Sequence, residues 1–303
     1  MAVEEVLPRP SHVPSSLHDL YVAIGVDCDP DRDVYPRHLA WRGVEHVPRL
    51  LAIPDVKWTL NVRADSQVAA YCGSAGYCWE QYAGVWDAAR AQGSEVAWHL
   101  HYFGADHYNQ DVSEANIRAN IAMGAAATGP PPVVHMGWTF QSDASVRQLA
   151  AVGVQIDYSP VPRLAFAGRS GTDQYDWSEF AYRPRRWHGV RMIPTYSYAD
   201  RWLSKRFKTE RVMLTTTTTP VLYRRLLRSF FETGSDFLVS YFHADEIAGA
   251  VGGWRNRLYS YDNLVTNLAT LRRMAARRGY RVRFVTVSAL ADILFDEDRT
   301  RDA

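Results

Sequence analysis

The chain is poor in cysteine: its 303 residues hold only Cys28, Cys72 and Cys78. That odd set lacks the spacing of a zinc motif or of a disulfide framework, so the thiols are expected to be reduced. No apolar run approaches the roughly eighteen residues that a membrane-spanning helix needs. The opening residues, MAVEEVLPRPSH, lack the basic start and apolar stretch of a signal peptide. A cytoplasmic, soluble protein is the expectation from these absences. Nor does one charge prevail: 34 basic and 33 acidic residues leave a net charge of +1. That balance gives no footing for a nucleic-acid or membrane-surface partner. The Arg-rich pieces (Arg183, Arg185 and Arg186; Arg224 and Arg225; Arg277 and Arg278) fall inside ordered-looking segments and read as solvated faces. There is no repeat, low-complexity tract or sign of a second core.

What is present is ample apolar material, 47% of the residues, enough for one large core. Apolar, β-branched and aromatic runs predict strands at 20–28, 56–63, 94–101, 132–138, 154–158, 190–195, 236–243 and 281–287. Helical patterns lie between them, at 36–52, 79–92, 113–126, 142–152, 218–233, 259–278 and 288–295. Strands alternating with helices imply a parallel sheet, open or closed. The Pro-, Gly-, Arg- and Trp-rich stretch 160–190 reads as a long excursion. Thr215 to Thr219, just before a helix, read as capping residues.

Four strand exits carry chemistry-bearing residues. In YVAIGVDCDPD, Asp27 and Asp29 end an apolar strand and project to one side of it. Two carboxylates there are costly unless paired or metal-bound, and they suit one metal ligand plus one base. Capping and turn formation are the plain alternative. Asp-x-Asp after a strand also opens haloacid-dehalogenase phosphatases, whose further motifs cannot be placed here. In GSEVAWHLHYFG, His99 and His101 leave a strand two residues apart and make a zinc-type pair, with His107 in reserve. DFLVSYFHADE ends in His243, Asp245 and Glu246, and a histidine there suits a leaving-group acid. VVHMGWTF places His135 at a fourth exit, where a hydrogen-bonded buried histidine is the competing reading. The exits stand out as a set, because ligands and catalysts gather at the carboxyl ends of parallel strands.

The order of these pieces resembles the polysaccharide-deacetylase family, also called carbohydrate esterase family four or the NodB homology domain, over residues 18–296. Val26-Asp27-Cys28-Asp29 resembles its first motif in a spaced form. Gly93 to His99 resembles its GHEIGxH run, and His135 to Trp138 with Gly153 to Ser159 resembles its RxGW and GxxxDxS motifs. Tyr241-Phe242-His243 resembles its histidine motif, and Gly279 to Leu290 its closing strand. The resemblance implies an α/β fold: a single-domain, distorted (β/α) barrel of about seven parallel strands, NodB-like. An extension at 1–17 and a tail at 297–303 would flank it.

The resemblance further implies Asp27 as general base, Asp29 and His99 as metal ligands, and His243 as general acid. Two departures follow. The usual second histidine is Phe103 here, so His101 must serve as the third ligand. The usual arginine beside the base is His135. His135, Trp138, Asp157, Tyr158 and Glu246 would bind substrate or support the site. Trp98, Tyr102, Trp138, Tyr158 and Trp254 could stack on a sugar ring, with core packing as the alternative. One divalent ion, zinc or else cobalt, nickel or manganese, is implied. The implied reaction is removal of an acyl group from an N-acylated amino sugar or similar small amide. Alternatives are hydrolysis of another C–N bond, a cyclic amide or formamide, with or without metal, and an inactive carbohydrate-binding barrel. The expected partner is a small-molecule or sugar substrate, and a homo-oligomer is compatible with the sequence.

Overall fold

The computed structural model describes residues 17–35, 38–107, 109–162, 165–166, 175–177, 180–198 and 212–301. The N-terminal extension expected at 1–17 lies, but for Leu17, outside the described residues. The strands are β1 (His18–Cys28), β2 (Trp58–Arg63), β3 (Glu95–Leu100), β4 (Val133–Met136), β5 (Ile156–Asp157), β6 (Ala165–Phe166), β7 (Tyr175–Asp176), β8 (Arg185–Trp187), β9 (Val190–Met192), β10 (Ser197–Tyr198), β11 (Val212–Met213), β12 (Phe237–His243) and β13 (Tyr280–Val285). Nine of them form one sheet in the order β12-β1-β2-β3-β4-β5-β9-β8, with β13 beside β1. All its pairings are parallel except β8 with β9.

Among the described residues, eight parallel strands stand where about seven were expected. The reason is the length of β1: its first half, His18 to Ala23, pairs with β13, and its second half, Ile24 to Cys28, pairs with β2. The antiparallel hairpin β8–β9 falls partly within the stretch read as an excursion. It turns at His188 and Gly189, both left-handed, as a two-residue hairpin loop requires.

The sheet curls so that its two sides approach. The segment after β9 bridges them: Ile193 N donates to the Asp157 carbonyl (2.9 Å) and Tyr196 N to the Val239 carbonyl of β12 (3.0 Å). Alternate residues face inward, where Ala23, Ala97, Val133, Ile156, Ile193 and Val239 form one buried cluster with Val287, Leu290, Ala291 and Phe295 of the last helix. That helix (Val287–Arg301) closes the end where the strands begin, its Val287 N donating to Thr59 Oγ1 at the start of β2 (3.0 Å). Gly25 is glycine because a Cβ there would lie 2.3 Å from the Tyr158 hydroxyl, whose ring fills the barrel. On the outer face Val22, Ile24 and Val26 pack with Leu226, Phe230, Leu264, Leu268 and Leu271 from two covering helices. Burial of both faces accounts for the continuous apolar runs of the central strands.

The expected helices at 113–126, 142–152 and 259–278 appear as Glu114–Thr128, Asp143–Ala151 and Tyr261–Ala276, capped by the side chains of Ser113, Ser142 and Ser260. The expected helix at 36–52 is instead two short pieces, Arg42–Glu45 and Val47–Leu51, the second carrying Pro48, which has no N–H to continue a helix. The threonine run does not cap by side chain. Thr219 makes no such bond, and Thr216, Thr217 and Thr218 are buried, with Thr217 donating to Glu246. No helix among the described residues is long and apolar enough to cross a membrane.

Candidate metal centre at the strand ends

Strand register assembles the site. Asp27 lies opposite His243 on one side and Asn61 on the other; Arg63 lies opposite His99, and His99 opposite His135. Residues in register on neighbouring strands share a face, so inward positions at the carboxyl ends converge. The barrel thus turns from apolar at its closed end to acidic and basic at its open end.

Three donor atoms form a compact triangle. Asp29 Oδ1 is 3.4 Å from His99 Nε2 and 3.8 Å from His101 Nε2, and the two Nε2 atoms are 3.2 Å apart. A point equidistant from atoms so spaced lies about 2.0 Å from each, the length of a Zn–N or Zn–O bond. His99 Nδ1 donates to the His135 carbonyl (2.7 Å), which turns its Nε2 toward the triangle. Tying off the far ring nitrogen in this way is the usual support of a metal-ligating histidine. The His101 ring lies between Phe103, stacked at 5.0 Å and 8°, and Gly137, where a Cβ would sit 2.3 Å from the ring. His101 Nδ1 is buried without a hydrogen-bond partner among the described residues. The donor set and its support fit a divalent ion of the zinc type.

The charges are tightly coupled. Burial pushes the Asp29 carboxyl upward, but His99 and Arg63 outweigh it and hold the group well below the usual carboxylate range. Burial lowers His99, yet Asp29 and Asp27 raise it to about 9. His101 is depressed well below an ordinary histidine by burial and by the Arg63 guanidinium.

Beside the triangle, Asp27 Oδ1 accepts from Asn61 Nδ2 (2.7 Å) and His135 Nδ1 (3.0 Å). Its other oxygen faces His243 Nε2 at 3.9 Å. Burial opposes its ionisation, but His135 and His99 keep Asp27 below the normal carboxylate range. His135 is sandwiched by Tyr158 (4.5 Å) and Tyr241 (4.4 Å), so it supports Asp27 rather than facing solvent. His243 is the most open of the set, 26% exposed, with Nε2 3.7 Å from Asp29 Oδ2 and Nδ1 3.5 Å from Glu246 Oε1. Burial and Arg32 depress its pKa, while the bond to Glu246 and the two aspartates outweigh them and raise it. Glu246 is held from behind by Arg32 (2.9 Å), which also forks onto Asp245.

Other expected site residues fall elsewhere. Trp138 is part-exposed at the opening, edge-on to His101 and Phe103. Tyr158 fills the barrel below His135. Asp157 stands apart, on the outward side of β5, where it accepts from Ser159 N (2.8 Å), Ser159 Oγ and Gln141 Nε2. Trp98 and Tyr102 are core residues on the outer face, so neither stacks on a ligand. His107 joins neither cluster of metal-competent donors, and the Trp254 side chain lies outside the described residues. Asn61, Arg63, Asp65 and Arg32 were not singled out from sequence. The period-two polar pattern of WTLNVR was the available signal for the first two.

No family profile matches the chain, and neither does any curated protein. Among solved structures it is similar to a family 4 carbohydrate esterase from Streptomyces lividans, at 14% identity and a TM-score of 0.32, over 46% of this chain and 62% of that one. It is similar to a peptidoglycan deacetylase from Bdellovibrio bacteriovorus at 12% identity and a TM-score of 0.39, over 89% of this chain and 53% of that one. A 4-alpha-glucanotransferase from Thermococcus litoralis is matched at 10% identity and a TM-score of 0.44, over 90% of this chain and 40% of that one. The chain thus spans less than two thirds of each of these proteins. Likeness at this level, to proteins of different activities, carries no activity across.

Proposed function

We propose that the chain is a metal-dependent hydrolase that removes an acyl group from the nitrogen of an amino sugar or a similar small amide. The observation that carries this reading is the Asp29–His99–His101 triangle, with the far nitrogen of His99 tied to a carbonyl and an ionised Asp27 beside it. Asp29, His99 and His101 would hold one zinc, cobalt, nickel or manganese ion. Such an ion supplies polarisation of the acyl oxygen and a lowered pKa for water.

The chain's own residues do the rest. Asn61 and His135 occupy Asp27 Oδ1, which leaves Oδ2 to take the proton of the attacking water. The water oxygen adds to the acyl carbon. His243 Nε2 then gives its proton to the departing nitrogen as the C–N bond breaks. Glu246 fixes the ring through Nδ1, and its carboxylate favours the protonated form that an acid needs. Trp138 stands at the opening, where it would flank the substrate.

Elemental analysis of the purified protein, with acyl release measured over a panel of N-acylated amino sugars and small amides, tests the proposal. The expected result is one ion per chain, release abolished by a chelator, and recovery on adding the metal back. Release that continues without metal would instead favour a metal-independent C–N hydrolase. Sugar binding without turnover would favour an inactive barrel.

A further inference from the structure

Arg63 is a guanidinium almost wholly enclosed, 2% exposed, at the end of β2. Each of its three nitrogens has a partner: Nη1 donates to Asp29 Oδ1 (2.9 Å), Nε to Asp65 Oδ2 (2.6 Å) and Nη2 to Gln67 Oε1 (3.1 Å). Asp65 in turn caps the helix Ser66–Cys72 and accepts from the backbone N of His101 (3.3 Å). One buried ion pair therefore touches two of the three proposed ligands, Asp29 through its side chain and His101 through its main chain. Resting on the reading of Asp29, His99 and His101 as ligands, we propose that Arg63 is a positioning residue that holds Asp29 by Oδ1 while its charge keeps the metal loosely bound.

The argument is geometric and electrostatic. The guanidinium and a cation bound by Asp29 would share the same carboxylate oxygen, so Arg63 competes with the ion for that charge. A cation there would lie no more than about 5 Å from Nη1. Repulsion between unit charges at that range, even at a moderate effective dielectric, is worth more than tenfold in affinity. Asp65 offsets part of this repulsion, but it bonds the far side of the guanidinium. The planar guanidinium, in turn, is anchored by Asp65 and Gln67, and this fixes the direction from which Nη1 meets Asp29 Oδ1; a lone ammonium cannot span all three partners in that way.

Cobalt titration of the metal-free protein, read by visible absorption, with melting curves of the metal-free forms, tests this. Arg63→Gln removes the charge but keeps an amide donor, and should bind cobalt at least about tenfold more tightly than wild type. Arg63→Lys keeps the charge without the fork. It should bind within about threefold of wild type, with altered absorption as Asp29 loses its fixed orientation. Should Arg63→Gln fail to fold, the Lys variant decides by its spectrum alone: an unchanged spectrum overturns the positioning role. A folded Arg63→Gln that binds no tighter than wild type overturns the charge effect. Wild type that takes up no cobalt overturns the ligand reading itself, and the inference with it.

Discussion

Gly137→Ala is the sharpest structural test of His101 as a ligand. Gly137 opens a 3-10 turn after β4 and is not left-handed, so its backbone tolerates alanine. The obstacle is space: the new Cβ would lie 2.3 Å from Cγ, Cδ2 and Cε1 of His101. Carbon atoms in contact sit about 3.5–4.0 Å apart, so the ring must retreat by more than about 1 Å. Phe103, stacked on the opposite face at 5.0 Å, blocks that retreat. Ligand distances tolerate errors of only about 0.2 Å, so such a shift takes His101 Nε2 out of the triangle. The expected loss of zinc or cobalt affinity is at least about 100-fold, at the upper end for disturbing a ligand's support. Overpacking should cost about 1–3 kcal/mol of stability while leaving a cooperative melt. Metal competition titration and thermal melting measure the two effects. Gly84→Ala, with open space around it in the helix Ala83–Ala91, is the control and should bind metal normally. In a His101→Ala background the stability cost of Gly137→Ala should vanish, because the clashing ring is gone. Wild-type metal affinity in Gly137→Ala would refute the assignment of His101.

The remaining predictions concern the reaction and its pH dependence. Asp27→Asn should keep the metal and cut turnover by roughly 10²–10⁴-fold, because Asn can still accept from Asn61 and His135 but cannot take a proton. Asp29→Asn should lose both metal and turnover, and metal content measured beside rate separates the two roles. His243→Ala should abolish turnover with metal content and melting temperature nearly unchanged, since this part-exposed ring is proposed as an acid and not as a ligand. Metal loss in that variant would show the role to be wrong. A cation must displace the proton that Asp29 and Asp27 hold on His99 up to about pH 9. Metal affinity should therefore fall about tenfold per unit as pH drops below that value, and level off above it. In the metal-free protein the same raised pKa stabilises the fold at acidic pH, an effect lost as pH rises from about 6.5 through 9. A flat affinity profile across neutral pH would contradict the proposed ligand set.

The sequence made the sheet legible because its central strands are buried on both faces and so read as unbroken apolar runs. All eight runs form strands, and all eight run parallel. The hairpin strand β8 was not legible. Its RRW has an exposed, polar pattern, and only pairing with β9 orders it. The short helices Ser66–Cys72 and Ala244–Ala248 escaped for a similar reason: at seven and five residues they are too short to show helical periodicity. The threonine run misled because its polarity suggested a cap, whereas Asn267 binds the carbonyls of Thr216 and Thr218 (2.8 and 2.7 Å) and buries the turn.

The site divides along the same line. Six residues, Asp27, Asp29, His99, His101, His135 and His243, converge because each stands on an inward position at the exit of a parallel strand, which sequence alone can place. What sequence could not supply is which carboxylate each arginine would meet, since Arg32 reaches Asp245 and Glu246 across more than two hundred residues. The two polar residues of β2 show the physical reason. Asn61 and Arg63 follow the same inward alternation as Thr59, and in isolation they look like flaws in an apolar strand. Opposite β1 they become a neutral donor on Asp27 and a cationic one on Asp29. Buried carboxylates are tolerated only when paired, so each aspartate of the exit demands a partner from the next strand. That requirement also separates the two aspartates. The one facing a neutral amide keeps a second oxygen unbound by that amide, as the proposed base requires, and the one facing a guanidinium is held by it, as the proposed ligand requires.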